Sequence, residues 1–114
     1  MIIKMIGKLP DNILEAILGT MPLEISVLDE NDKVLGWNKH DTRIFKRPEA
    51  VVGRDVRDCH PKKSVHKVEQ ILDDFKKDNR DKARFWIEMQ SDKGKEKILI
   101  EYYALRDSEG NYLG

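Results

Sequence analysis

Ala83-Arg84-Phe85-Trp86-Ile87-Glu88-Met89-Gln90 and Lys97-Ile98-Leu99-Ile100-Glu101-Tyr102-Tyr103-Ala104-Leu105-Arg106, separated by Ser91-Asp92-Lys93-Gly94, decide the fold. Phe85, Ile87 and Met89 keep the same alternate phase as Ile98, Ile100 and Tyr102. Such alternation of β-branched and aromatic residues suits a pleated, half-buried surface. Two in-phase runs around a glycine-containing turn read as an antiparallel hairpin. Adjacent strand residues face opposite ways, so Phe85 and Trp86 cannot share a face, nor can Tyr102 and Tyr103. One of each pair is expected on the outer face of the sheet.

Immediately before this hairpin, Val65, Val68, Ile71, Leu72 and Phe75 fall within about 120° of one another on a helical wheel, which predicts a helix over 62–78. Further upstream, Leu23, Ile25 and Val27 alternate with Glu24 and Ser26, and Lys33–Trp37 follows the Asp29–Asp32 turn, so 23–38 reads as a second hairpin. Ile13, Leu14, Ile17, Leu18 and Met21 form one face of a first helix, with Asp11 as its expected N-cap and Gly19 and Pro22 at its end. Between Asn38 and His60, Ile44-Phe45 and Val51-Val52 anchor one-turn helices punctuated by Pro48, Gly53 and Pro61. Downstream, Asp107-Ser108-Glu109-Gly110-Asn111 is a turn. The order describes an α+β domain, an antiparallel sheet with its helices gathered on one face and a concave pocket between the two layers.

The 114 residues make one domain, taken as 11–114 with residues 1–10 as an N-terminal extension. Lys and Arg number 21 and so do Asp and Glu, a balance that offers no basic footprint for nucleic acid. The 37% share of charged residues, with few threonines and glutamines, points to a thermophile. No apolar run approaches the ~20 residues of a membrane span, and the apolar start is broken by Lys4, too early for a signal-peptide core. A single cysteine, Cys59, excludes an internal disulfide framework and fits a reducing cytoplasm. No Gly-rich phosphate loop, His-Glu-x-x-His or G-x-S-x-G is present, so no enzyme is expected.

Several segments, in order, resemble the PAS sensor family: Asn38 after the Val34–Trp37 strand, Pro48-Glu49-Ala50-Val51-Val52-Gly53, His60-Pro61 at the entry to the long helix, and Asp107-Ser108-Glu109-Gly110-Asn111 as the last hairpin turn. More narrowly, Cys59-His60-Pro61 through His66, Asp74-Phe75-Lys76 and Phe85-Trp86-Ile87 resemble a PAS subgroup found C-terminal to hemerythrin-like helical domains in bacteria and archaea. The resemblance implies a sheet whose final, central strand follows Gly114 and is missing from this chain. It also implies a cytoplasmic sensory module that takes up a small apolar or planar ligand and relays the change to an attached signalling domain. The resemblance assigns the pocket lining to Ile25, Val27, Phe45, Val52 and Val56 in the first half. In the second half it assigns Val68, Leu72, Phe85, Ile87, Ile100 and Tyr102. The alternative is a ligand-free module that dimerises through its sheet. In either case a homo-oligomer is expected, with strand exchange as one route to it.

A third alternative places heme, a metal or a redox-active thiol at Cys59 and His60, with His66 six residues on. A thiolate and imidazoles are suitable ligands for iron or zinc. The wheel sets His66 about 160° from the apolar stripe, among Glu69, Gln70 and Asp73, which opposes a place in an apolar heme pocket. His40, between Lys39 and Asp41, reads as a solvated surface.

Overall fold

Phe75 ends the apolar stripe of the long helix, and around it the C-terminal half of the chain packs. In a computed structural model that describes residues 7–38, 48–60 and 62–114, the elements are α1 (Asp11–Thr20), β1 (Ser26–Leu28), β2 (Val34–Trp37), one-turn 3-10 helices at Glu49–Val51 and Val56–Cys59, α2 (Lys62–Lys76), β3 (Lys82–Ser91) and β4 (Gly94–Tyr103). They divide into two compact units, residues through Cys59 with Gly114, and His60–Leu113. The expected elements in 39–47, Ile44-Phe45 among them, and Pro61 lie outside the described residues.

In the second unit α2 buries Val68, Ile71, Leu72 and Phe75 of the stripe read from the sequence, while Val65 is half-buried. Its core joins Ile71, Phe75 and Ala83, with Phe85, Tyr102, Ala104 and Tyr112 packed against them. The rings of Phe85 and Tyr102 stack with centroids 6.1 Å apart. β3 and β4 pair antiparallel in an unbroken register from Lys82↔Tyr103 to Ser91↔Gly94. The second strand therefore begins at Gly94 and ends at Tyr103, three residues ahead of the expected 97–106, because the ladder zips to the foot of the turn. Gly94 makes this tight closure with φ of +102°, a left-handed conformation suited to glycine. α2 stops at Lys76, short of the expected 78, where Asp78 turns left-handed at φ +59°.

Arg106 ties the ends of this unit together. Its Nη2 donates to the Phe75 carbonyl at 2.7 Å. Its Nε and Nη1 reach Asp81 and Asp78, each at 2.9 Å. A cation at the C-terminal end of α2 adds a second donor to a carbonyl that the Asp78 N–H reaches at 3.3 Å, and it complements the helix dipole. The guanidinium also lies 5.6 Å from the Tyr112 ring centroid.

In the first unit β1 and β2 form a short antiparallel ribbon with a bulge between Val27 and Leu28. Asn38, buried at the end of β2, organises its approach. Its Oδ1 accepts from the Ile25 N–H at 2.7 Å. Its Nδ2 donates to the carbonyls of Leu18 and Leu23, at 2.8 and 2.7 Å. The Asn38 side chain takes the Ile25 N–H while the Ile25 carbonyl still accepts from the Asn38 backbone N–H at 3.0 Å, so the ladder stops there and β1 starts at Ser26 rather than at Leu23. At the head of α1, Pro10 occupies the cap and Asp11 the first helical position, a correction to the expected Asp11 cap. An acid there still favours the helix through its dipole. Every residue of α1 is exposed, its apolar face included. No helix among the described residues is long and apolar enough to cross a membrane.

Two substitutions test this packing. Phe75→Ala is expected to cost about 3–5 kcal/mol, the range for emptying a buried aromatic site, read from the midpoint of urea unfolding. Asn38→Ala leaves three backbone groups without their side-chain partner and is expected to cost about 2–3 kcal/mol in the same assay.

Candidate functional site

The two faces of the β3–β4 hairpin differ sharply in chemistry. The inner face carries Ala83, Phe85, Ile87 and Met89 opposite Tyr102, Ile100, Ile98 and Glu96. Ala83 is buried beneath α2, whereas Phe85, Ile87, Ile98, Ile100 and Tyr102 are half-buried. The outer face carries Lys82, Arg84, Trp86, Glu88 and Gln90 opposite Tyr103, Glu101, Leu99, Lys97 and Lys95. The structure thus resolves both adjacent aromatic pairs: Phe85 and Tyr102 face inward, while Trp86 and Tyr103 stand on the outer face, 63% and 58% exposed. The Tyr103 hydroxyl donates to Glu101 Oε2 at 2.6 Å, and this bond holds the proton and raises the phenol above its ordinary pKa.

Between α2 and β3 runs an open cleft of about 890 Å³; a concave pocket between helix and sheet is expected from the sequence, but of its expected lining only Phe85 is found here. Ile71, Ala83 and Phe85 supply its apolar lining, and Lys67, Arg80, Arg84 and His66 its basic groups. Lys67 Nζ sits 4.1 Å from the Phe85 ring centroid, a cation–π contact. Arg80 is engaged by Asp74 at 3.0 Å, and Gln70 donates to the same carboxylate. No periodic signal marks a cleft like this, since Lys67 and Phe85 meet only when α2 lies against β3.

The pocket residues expected from the sequence fall in both units. In the second, Val68 and Leu72 are buried on α2, and Phe85, Ile87, Ile100 and Tyr102 share the inner sheet face. In the first, Val56 is buried and Ile25 and Val27 are half-buried. Val52 is 53% exposed in the turn after the first 3-10 helix, whose end at Val51 leaves its side chain off the core. Phe45 and His40 lie outside the described residues. Of the metal candidates, Cys59 is half-buried with its Sγ 3.9 Å from the Asp55 carbonyl. His60 is half-buried, and His66 is exposed on α2, as the wheel indicates. Among the described residues no three His, Cys, Asp or Glu side chains are grouped to hold a metal ion.

A polar cluster in the first unit surrounds Arg57. Its Nη1 lies 3.1 Å from both Asp32 Oδ2 and Asp55 Oδ1, and Asp32 is buried. The Arg57 backbone N–H also donates to Asp55 Oδ1 at 2.9 Å. That N–H above all, and then the guanidinium, holds the Asp55 carboxyl below its ordinary pKa. In the terminal turn, the N–H groups of Asn111 and Glu109 act likewise on Asp107.

A family model described as a PAS domain matches residues 14–114. The crystal structure of a C-terminal domain from Streptococcus mutans is similar to this chain at 31% sequence identity with a TM-score of 0.78, covering 93% of this chain and 80% of that one. No curated protein sequence matches.

The Asp55 cluster sets a pH dependence. Its folded-state pKa lies below its unfolded one, so its contribution is complete above the ordinary carboxylate value near 4 and fades as pH falls through the folded value. The loss of unfolding free energy below pH ~4 is expected to be shallower in Asp55→Asn than in the wild type, measured by urea unfolding across acid pH.

Proposed function

The chain belongs to the PAS domain family, and on that premise we propose that it is a sensory module which takes up a small apolar or planar ligand and relays the change to an attached signalling domain in the cytoplasm. The observation that carries this reading is the inner face of β3–β4. Ile87, Ile98 and Ile100 lie outside the packed cluster around Phe75 and stay half-buried. They leave apolar surface that a ligand covers with a gain proportional to the area removed from water. The signal then rests on the ligand's different affinity for two conformations of the module, since equal affinity shifts nothing. The reading assigns the chain no catalytic step.

The exposure of Trp86 and Tyr103 favours a second reading, in which the chain binds no ligand and acts as an interaction module through the outer sheet face. Large apolar side chains clustered on a surface mark contact sites more often than singly scattered ones do.

Titration with anilinonaphthalene sulfonate separates the two. The sensory reading expects saturable binding to the wild type, weakened about tenfold by Ile100→Trp and unchanged by Trp86→Ala, with unfolding cooperative in all three proteins. Binding that is absent, or insensitive to Ile100→Trp, removes the inner-face ligand site and leaves the interaction reading.

A further inference from the structure

β3 is a ten-residue strand that pairs with β4 along one side only. Its other side lines the cleft with Ala83, Arg84 and Phe85, and no β4 residue takes part there. Among the described residues no strand covers that edge. A long strand with one bare row of N–H and C=O groups is a template for another strand, and folded proteins either blunt such an edge or use it. The edge carries no proline, glycine or bulge, and its charged residues, Lys82, Arg84 and Glu88, all belong to the outer face.

We propose that this edge pairs antiparallel with the same edge of a second copy of the chain, about a two-fold axis at Trp86. A two-fold perpendicular to the sheet keeps outer-face residues opposite outer-face residues, so only registers centred on a residue qualify. Centred on Trp86, the outer face sets Arg84 against Glu88 of the second copy, twice by symmetry, with Trp86 against Trp86 and Lys82 against Gln90. The inner face sets Phe85 against Ile87 and Ala83 against Met89. The Arg–Glu, Trp–Trp and Phe–Ile pairs are of kinds that stabilise antiparallel strands, and no like charges meet. Centring on Ile87 instead sets Glu88 against Trp86 and Arg84 against Gln90, so both charge pairs are lost. Centring on Phe85 keeps Lys82 against Glu88 but shortens the ladder from 82–90 to 82–88 and sets Arg84 against Trp86. Centring one place further, on Glu88, sets that carboxylate against its own copy.

The side chains are in the state this pairing needs. Trp86 is exposed. Arg84 is 68% exposed and its only carboxylate contact among the described residues is Glu101 at 4.0 Å. Glu88 has no ion-pair partner among the described residues. The assembly requires no ligand on the inner face, so it stands or falls separately from the sensory reading.

Sedimentation velocity of the full chain from about 5 to about 500 µM tests the interface in a range where a modest edge-to-edge contact is populated. The wild type is expected to shift from monomer to dimer. Glu88→Arg alone and Arg84→Glu alone are each expected to weaken the dimer about tenfold or more, since each opposes like charges. Mixing these two variants regenerates both Arg–Glu pairs in a heterodimer and is expected to restore the wild-type profile, which a folding defect in either variant does not do. A wild type that stays monomeric throughout overturns the proposal. So does a dimer that either single reversal leaves intact, or one that mixing fails to rescue.

Discussion

Phe75 holds the second unit together through two different atoms. Its ring fills the core with Ile71 and Ala83, and its carbonyl accepts from Arg106 at 2.7 Å. The ring secures α2 to the hairpin by removing apolar area from water. The carbonyl, which also takes the Asp78 N–H, secures the chain leaving β4 to the end of α2. Asp78 and Asp81 orient the guanidinium, and Tyr112 packs beside it. Without this node, α2 loses its deepest contact, and the segment after β4 loses its anchor.

The first unit relies on polar groups to a greater degree. Asn38 satisfies an N–H and two carbonyls where α1 ends and β1 begins, a place where the backbone has neither helix nor ladder partners. The Asp29–Asp32 turn is closed by Asp29 Oδ1, which accepts from the N–H groups of Asn31 and Lys33. Beyond it, Val34 exchanges backbone bonds with Arg54 and Gly53, which binds β2 to the segment between the two 3-10 helices. Gly114 lies against the backbone of Leu28 and Asp29 so closely that no Cβ fits there.

The hairpin β3–β4 offers three surfaces, each with its own chemistry. Its inner face is apolar and half-covered, its outer face mixes exposed aromatics with charge, and its β3 edge pairs with no strand among the described residues. A module whose task is to couple a bound molecule or partner to a change elsewhere needs such surfaces, and it needs them on a rigid element. A continuous ten-pair ladder provides that rigidity, since each strand holds the other's register through alternating side chains. Membership of the PAS family and the similarity to the Streptococcus mutans domain establish the fold class.

Much of this architecture was legible in the chain itself. The spacing of Val68, Ile71, Leu72 and Phe75 specifies one face of a helix. The matched phases of Phe85–Ile87 and Ile98–Ile100 specify a hairpin, and Asp107 specifies the separate terminal turn at 107–111, because these patterns record local geometry along a single element. The same wheel placed His66 on the solvent side of α2, where the structure has it. Element ends were not legible: β1 is shortened by the Asn38 side chain from thirteen residues away from Ile25, and β4 is advanced by the glycine that closes its turn. Nor could the pattern choose between Phe85 and Trp86, or between Tyr102 and Tyr103, as the inward residue. Alternation states only that neighbours differ, and it was the packing of α2 on one side of the hairpin that decided which of them face the core. The cleft beside Lys67 is likewise a product of that packing, because Lys67 and Phe85 are remote in sequence, and the side of β3 with no strand against it among the described residues depends on which strands pair.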